Sequence, residues 1–380
     1  MENRTTRFEW NRHMLINRLI RNLKRQIFNT KLSSVLYFII FNLAFGFSCY
    51  SLMNEPTITP DLVTFVYWSI VTASSLGFGD ISPSSDIGRM FLVLYYIPSF
   101  FLLFGLLLGK LGELIYKYRN DLMDGKLKMN KMNNHITLVT SNEKSARHLI
   151  NLIMSDKNRP DRTIILLTDA DFQHPFPEEE KIKFLKVDGL YDPSTVDKAF
   201  IKNAARVVID TEDDNANFAL SVHFSTKVDD TGVITTFLQD ESRASTLRSL
   251  GKNIEVITAF KHEQMVRSMQ DTGTSSVFYH LLTNEMQTMH VQEVKFCCDV
   301  DIKTLREKMQ NTHNAILMGY AQDLMSNTLI VNPDNEVTLE SSCTYYIHYV
   351  ALTRIQGSLC KLFDKNYSTP ISTPGIGIYN

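Results

Sequence analysis

The stretch VTASSLGFGDISP, Val71–Pro83, places two glycines around one aromatic residue and follows them directly with an acid. It ends an apolar run, DLVTFVYWSIVTASS, that is too short and too rich in hydroxyl side chains to cross a bilayer alone. Non-helical backbone at membrane depth is tolerated only where protein buries it or water lines it. The sequence therefore predicts a helix that enters the membrane and returns as a loop.

Two longer apolar runs flank this segment, SSVLYFIIFNLAFGFSCYSLM (33–53) and MFLVLYYIPSFFLLFGLLLG (90–109). Neither carries a formal charge, and each has the length of a membrane-spanning helix. Basic residues lie before the first run and after the second, while the connection between them is nearly free of Lys and Arg. This bias predicts a multi-pass protein of the cell membrane (plasma or inner), with both termini cytoplasmic and lipid around the spans. A buried helix pair of a soluble protein is the disfavoured alternative, and Asn42 is expected to bond a neighbouring helix.

Residues 1–32 are strongly basic, and their apolar residues recur at helical spacing. This pattern is typical of an amphipathic helix lying on an anionic membrane surface. A solvated surface helix of a globular domain is the alternative.

The loop itself has the composition of an ion site built from backbone. A dehydrated cation needs many oxygen ligands, and peptide carbonyls from a ring of chains supply them without buried charge. Carbonyls that point the same way require alternate residues with positive φ, which Gly77 and Gly79 adopt without steric cost. Leu76 and Phe78 are then expected to point outward into packing, and Ser75 can add a hydroxyl.

This segment resembles the pore of potassium channels, whose filter reads Thr-Val-Gly-Tyr-Gly-Asp. The matching residues here are Ser75, Leu76, Gly77, Phe78, Gly79 and Asp80, with Trp68 and Thr72 on the preceding pore helix. The resemblance implies a homotetramer that binds K+ at the carbonyls of Ser75, Leu76, Gly77 and Phe78. Because Ser, Leu and Phe replace Thr, Val and Tyr, a weakly selective or sodium-permeable channel of the same architecture remains the alternative.

The second span carries Pro98-Ser99 at its middle. Proline removes a backbone hydrogen bond and kinks a helix. Related ligand-gated channels have a hinge glycine near this position, so we expect the gate at Pro98, Ser99 and Gly105, helped by Gly109. A fixed kink that serves only packing is an equal alternative.

After the spans, short apolar strands alternate with helices, which predicts a doubly wound parallel sheet. This half resembles the cytoplasmic regulator-of-potassium-conductance (RCK) domain of prokaryotic two-span channels, through Val187-Asp188-Gly189, Asp192-Pro193 and Asp213–Asn217. The expected fold is an α-helical two-span membrane pore domain, a Rossmann-like α/β lobe and a small α+β C-terminal lobe. The predicted segments are a pore domain (33–118), a linker (119–133), a Rossmann-like lobe (134–270), a connector (271–289), a C-terminal lobe (290–356) and a flexible tail (357–380).

The regulatory ligand stays unidentified. A dinucleotide site needs a glycine-rich turn after the first strand, and Thr140–Ala146 contains no glycine. The carboxylates of a calcium-gated relative correspond to Asp210, Phe237 and Gln239, and one carboxylate is a poor calcium site. The candidate residues for a small cytoplasmic ligand are Glu143, Asp169, Asp188 and Asp210. His174 lies in a polar loop with no ligand partner in view.

Composition limits the remaining function classes. A net charge of −2 argues against a nucleic-acid partner, and the 5 cysteines show no metal-ligand spacing. A membrane-anchored nicotinamide-dependent oxidoreductase would need a glycine-rich turn and a catalytic acid–base pair, and neither is evident. The sequence predicts a channel, not an enzyme: a tetrameric potassium channel gated by a ligand that binds a ring of RCK domains.

Overall fold

The computed structural model describes residues 30–156, 160–250, 253–283 and 287–355, together with Leu359 and Phe363. The predicted N-terminal amphipathic helix and the predicted tail fall almost wholly outside these residues. The chain divides into two compact units, with the boundary between Asn120 and Asp121. We call them the first unit and the second unit.

The first unit is helical. Its elements are α1 (Leu32–Leu52), α2 (Leu62–Ala73), α3 (Asp86–Phe91), a π-helical turn (Leu92–Tyr96) and the start of α4 (Ile97–Met123). The last three join into one helix of 38 residues, Asp86–Met123. By length and composition, α1 and this joined helix can each cross a membrane, as the sequence predicts, while α2 is too short.

Aromatic side chains form the core of the first unit. The Trp68 ring on α2 stacks on Tyr96 with centroids 5.1 Å apart and meets Tyr50 edge-on at 5.1 Å. Edge-to-face and offset contacts of this kind are the favoured geometries for aromatic pairs. The hydroxyls of Ser69 and Tyr96 bond each other at 2.6 Å. This core fixes α2, and therefore the loop after it, against both long helices.

The second unit begins with a parallel sheet of the predicted kind. Its strands are β1 (His135–Thr140), β2 (Ile164–Thr168), β3 (Ile182–Lys186), β4 (Ala204–Asp210), β5 (Val233–Leu238) and β6 (Ile254–Thr258). The helices between them are α5 (Glu143–Ser155), α6 (Pro193–Lys198), α7 (Asp214–Ser225) and α8 (Glu241–Ser249), with a 3-10 turn at Ile201–Asn203. Each strand predicted from the apolar runs is present.

The strand order is β3-β2-β1-β4-β5-β6, and every pairing is parallel. Helices cover both faces, so the central strands are apolar on both sides; every residue of β2 is buried. Alternate residues of β1 and β2 enter two different cores, Val139 and Ile165 in one, Leu138 and Ile164 in the other. The order reverses direction between β1 and β4, which is where such sheets place their ligands.

Two helices, α9 (Lys261–Gln270) and α10 (Thr274–Leu282), lead from the sheet to the small lobe. That lobe has a four-stranded antiparallel sheet in the order β10-β9-β12-β7, a β11-β8 pair and one helix. Its elements are β7 (Thr288–Lys295), β8 (Val300–Asp301), α11 (Ile302–His313), β9 (Ile316–Ala321), β10 (Ile330–Val331), β11 (Thr338–Leu339) and β12 (Thr344–Ala351). The α+β composition predicted for this lobe is present.

Candidate functional site

The helix α2 positions the loop predicted to bind ions. The carboxylate of Asp61 caps its start by accepting the Thr64 amide at 2.8 Å. At its other end, the amides of Leu76 and Gly77 both donate to the Val71 carbonyl, at 3.2 and 3.4 Å. These bonds hold the first residues of the loop against the last turn of the helix.

The filter loop, residues 75–80, alternates its backbone conformation. Ser75, Gly77 and Gly79 have positive φ, at 59°, 52° and 77°. No atom lies within 4 Å of a Cβ built on Gly77 or Gly79, so their backbone conformation, not lack of space, explains glycine here. The positive φ predicted for Gly77 and Gly79 is present, and Ser75 adopts it as well.

The side chains between these positions have little packing inside one chain. Leu76 is 65% exposed and Phe78 is 66% exposed. Both side chains were predicted to point outward into packing. Within the single chain they do not pack, so such contacts would have to come from another chain or from lipid.

Behind the filter loop, the Tyr67 hydroxyl donates to a carboxylate oxygen of Asp80 at 2.8 Å. This bond ties the end of the loop to the middle of α2. Trp68 is buried in the aromatic core, and Thr72 is half-buried one turn before the loop. Both predicted pore-helix residues therefore lie in the helix that carries the loop, and Tyr67 makes the direct bond.

The residue that sequence reasoning missed is Glu55, in the connection between α1 and α2. Its side chain is fully buried, and its two carboxylate oxygens accept four bonds of 2.6–2.8 Å from the amides and hydroxyls of Ser84 and Ser85. Burial alone would raise the pKa of this carboxyl, but the four donors outweigh it and lower the pKa to about 2. The segment that follows the filter loop is thus fixed to a buried anion.

A Cβ on Gly88 would collide with the Glu55 carboxylate, so this glycine is required by close approach. The available signal for Glu55 was an acid inside the connection between α1 and α2 whose only other charged residue, Asp61, caps α2. Its partners lie about thirty positions away, and no spacing rule in the sequence links them.

The predicted gate residues Pro98, Ser99 and Gly105 all lie in α4, just after the π-helical turn. The π-helical turn Leu92–Tyr96 contains Leu94, whose carbonyl would normally accept the amide that Pro98 lacks. Ser99 donates to the Asn42 side chain on α1 at 3.4 Å, the interhelical bond expected for Asn42. A Cβ on Gly105 would meet nothing within 4 Å, so this chain alone does not require glycine there.

The second candidate site is the crevice at the carboxyl ends of β1, β2 and β4. Asp169 follows β2 and accepts the Ser141 hydroxyl at 3.5 Å, and Asp210 ends β4 beside Thr140. Asp188 follows β3 and is exposed, while Glu143 pairs with Arg147 at 2.8 Å on α5. The four predicted ligand residues therefore lie at the carboxyl ends of four neighbouring strands, β3, β2, β1 and β4.

A carboxylate of the chain itself occupies the start of α5. Glu212 accepts the Asn142 side-chain amide at 2.7 Å and the Ser145 hydroxyl at 3.3 Å. Its backbone has φ of 64°, which is strained for a residue with a side chain. In dinucleotide-binding folds the pyrophosphate lies at this helix N-terminus. The residues present do not fit that group, because Glu212 already supplies the anion and would repel a phosphate.

The acids next to Glu212 in the segment Thr211–Asp214 also have structural partners. Asp213 caps α7 by accepting the Asn215 amide at 3.0 Å, and Asp214 accepts the amides of Gln239 and Asp240 at 2.9 Å. The described residues contain no group of three or more His, Cys, Asp or Glu side chains able to hold a metal ion. These bonds favour the interpretation of the segment as a helix-capping loop over a calcium site.

Residues 37–117 match the model of a family described as "Ion channel". Among curated proteins, "Putative potassium channel protein YugO" of Bacillus subtilis (strain 168) is 26% identical over 173 residues, which are 44% of this chain and 48% of that protein. The chain therefore spans about half the length of the curated relative it matches. The predicted resemblance to ion channels is therefore confirmed for residues 37–117, and the curated relative has the name of a potassium channel, not of an oxidoreductase.

Three solved structures are also similar. The match with "GsuK channel bound to NAD" covers 90% of the chain described here and 61% of the GsuK chain, with 15% identity and a TM-score of 0.38. "Structure of the human SLO3 gating ring" covers 57% and 44%, with 11% identity and a TM-score of 0.43. The TrkA-N domain of the inner membrane protein ybaL from Escherichia coli covers 37% and 98%, with 13% identity and a TM-score of 0.29.

Proposed function

We propose that this chain is the subunit of a tetrameric, potassium-selective channel whose second unit regulates conduction by binding a small cytoplasmic ligand. The observation that carries the proposal is the alternation of positive φ at Ser75, Gly77 and Gly79, in a loop between two helices long enough to span a membrane. A loop of this kind presents backbone carbonyls, and carbonyl rings replace the hydration shell of a monovalent cation.

The geometry supports assembly from several chains. One filter loop supplies one side of an ion site, and a ring needs several. Leu76 and Phe78 are exposed in the single chain and require outside packing. Helices α9 and α10 contain no buried residue and expose a set of large apolar side chains, which suits contact with a second copy. These side chains are Met265, Val266, Met269, Val277, Phe278, Tyr279 and Leu282.

The regulatory part of the proposal rests on the crevice. Its acids lie at the reversal of strand order, where doubly wound sheets bind ligands. Glu212 and the acidic edge disfavour a phosphate, and they favour a cationic or hydroxyl-rich ligand that carboxylates can bond. Glu143, Asp169, Asp188 and Asp210 are the residues proposed to meet it, with both termini and the second unit on the cytoplasmic side.

The test is a reversal-potential measurement on purified protein in planar bilayers, with potassium on one side and sodium on the other. We expect a reversal near the potassium equilibrium potential, and candidate ligands added to the side of the second unit change the open probability. Heat-denatured protein is the control. A reversal near zero would indicate the weakly selective alternative. A native mass different from four times 43.6 kDa would contradict the tetramer.

A further inference from the structure

The end of the long helix α4 is hydrogen-bonded to the loop between β2 and β3, and the residues just after it are bonded to β3. The carbonyl of Met123, the last residue of α4, accepts the His174 amide at 2.8 Å. Two residues later the carbonyl of Gly125 accepts the Lys186 amide at 3.3 Å. We call this pair of bonds the latch. Both bonds lie within the second unit, which begins at Asp121, and α4 begins before that boundary, at Ile97.

The latch requires a glycine. Gly125 has φ of 65°, and a Cβ there would lie 2.6 Å from the Lys186 amide nitrogen and 2.8 Å from the Phe184 ring. Close approach and backbone conformation both exclude a side chain. A substitution at Gly125 therefore breaks the latch without touching any titratable group.

The side chain of His174 fixes the loop that holds Met123. It is 3% exposed and packs on the Phe184 ring with centroids 5.3 Å apart. Its Nδ1 accepts the Phe176 amide at 3.1 Å, and its Nε2 lies 3.3 Å from the Ile182 carbonyl. A backbone amide can only donate, so Nδ1 carries no proton and Nε2 donates. Only the neutral ring makes both bonds.

Protonation would put a second donor against the Phe176 amide. Burial lowers the pKa of His174 most, the bond to the Ile182 carbonyl opposes this, and the Lys183 ammonium lowers it further. The other charged groups around the loop are present as pairs or as loop acids. They are Arg147 with Glu143, Asp171 with Lys186, Asp124 with Lys126, and the run Glu178–Glu180.

We propose that His174 is a proton-sensitive positioning residue that holds the end of α4 to the loop after β2 and releases it when cytoplasmic pH falls. The proposal rests on the proposed channel function for its effect on conduction, while the latch itself is independent of it. Carboxylate, ammonium and guanidinium groups of ordinary pKa keep their charge between about pH 5.5 and 7.5, and histidine does not.

The direction of the pH effect on the latch follows from the lowered pKa of His174. The released state has the ordinary histidine pKa of 6.5, and the latched state has a lower one. The latch is therefore fully formed above pH 6.5 and is lost as pH falls from there towards the latched pKa. One proton separates the states, so the latch equilibrium changes by about tenfold for each pH unit in that window.

The first experiment is hydrogen–deuterium exchange on the full-length protein, with rates corrected for intrinsic pH dependence. We expect protection of the His174 and Phe176 amides to fall about tenfold per pH unit below 6.5 in the wild type. In His174→Asn, whose side-chain oxygen can still accept an amide two residues on, protection should not change with pH. Protection that is equally insensitive to pH in the wild type would overturn the proposal, and this measurement does not depend on conduction.

The second experiment records open probability in bilayers at about pH 7.5 and 5.5 on the side of the second unit. We expect a pH response that His174→Asn abolishes and that His148→Asn keeps, since His148 is an exposed histidine on α5. Gly125→Ala at pH 7.5 should match the wild type at pH 5.5. An unchanged pH response in His174→Asn would contradict the proposed role of His174. A wild type without any current would instead contradict the proposed channel function.

Discussion

The filter loop and the crevice are both exposed segments at the ends of regular elements, but they are built in opposite ways. In the filter loop the backbone conformation at Ser75, Gly77 and Gly79 defines the geometry. In the crevice, side chains from distant segments bond one another, as Asn142 bonds Glu212 seventy positions later. A site made of backbone can be recognised from its glycines, whereas a site made of side-chain partners requires the fold.

The filter loop and the crevice can be compared by mutation, and the largest effect on conduction is expected at Gly77. Alanine at φ of 52° costs about 1–2 kcal/mol per chain, and each chain of the proposed tetramer would carry the change. We expect Gly77→Ala to reduce potassium flux into proteoliposomes at least tenfold at equal protein. The reason is that residue 77 must leave the left-handed region and turn its carbonyl away.

The matched control is Gly112→Ala on α4. Gly112 also has nothing within 4 Å of a built Cβ, but its backbone is helical. Alanine there improves helix propensity, so flux should be preserved. If Gly77→Ala conducts as well as Gly112→Ala, the filter loop is not defined by its backbone.

The next largest effect is expected at Glu55, which connects the segment after the filter loop to the first unit. Glu55→Gln replaces a buried anion that accepts four bonds by an amide that places a donor among donors. We expect a loss of about 2 kcal/mol in unfolding free energy, taken from the lowered pKa with a discount for nearby solvent. The fluorescence of Trp68, which is buried in the aromatic core, reports on thermal unfolding of the first unit.

The same carboxylate predicts an acid transition. Its folded pKa is about 2, against an ordinary value of 4.5, so its contribution is complete above pH 4.5 and is lost as pH falls towards 2. Glu55→Gln should flatten that part of the stability profile. Asp86→Asn is the control, since it removes an exposed carboxylate of the same unit and should cost less than about 1 kcal/mol. Equal losses in both variants would contradict a special role for Glu55.

Most of the fold, and the backbone conformation of the filter loop, could be predicted from the sequence. Apolar runs of spanning length, the strand pattern of β1 to β6 and the glycines at 77 and 79 each carry a local signal. Sequence reasoning missed Glu55 and the position of Glu212, because a lone acid has many structural roles and only tertiary contacts select one. The π-helical turn before Pro98 was also beyond reach, since proline signals a disturbance but not its form.

A smaller effect is expected behind the filter loop. Tyr67→Phe removes the bond to Asp80 and leaves the ring in place, so the loss of stability should be smaller than that of Glu55→Gln. We expect faster loss of current during sustained activation, because the end of the loop is held less firmly. Tyr37→Phe on α1 is the control, since Tyr37 is largely exposed on a predicted membrane-facing surface. Indistinguishable current decay in the two variants would show that the backbone alone holds the loop.

The smallest effect on stability, and the sharpest contrast with the filter loop, is expected at Glu212. Glycine at φ of 64° relieves about 1 kcal/mol of strain, while the lost bonds to Asn142 and Ser145 cost a similar amount, so the stability of Glu212→Gly should lie within about 1 kcal/mol of wild type.

In Glu212→Gly the start of α5 lacks the carboxylate that occupies it in the wild type. Calorimetric titration with ADP should show no binding to wild type and measurable binding to Glu212→Gly. Glu212→Gln, which keeps the strain and loses the charge, should be less stable than Glu212→Gly. ADP binding to wild type with Glu212 in place would mean that the crevice is open, and the contrast between an exposed backbone site and a self-filled side-chain site would fail.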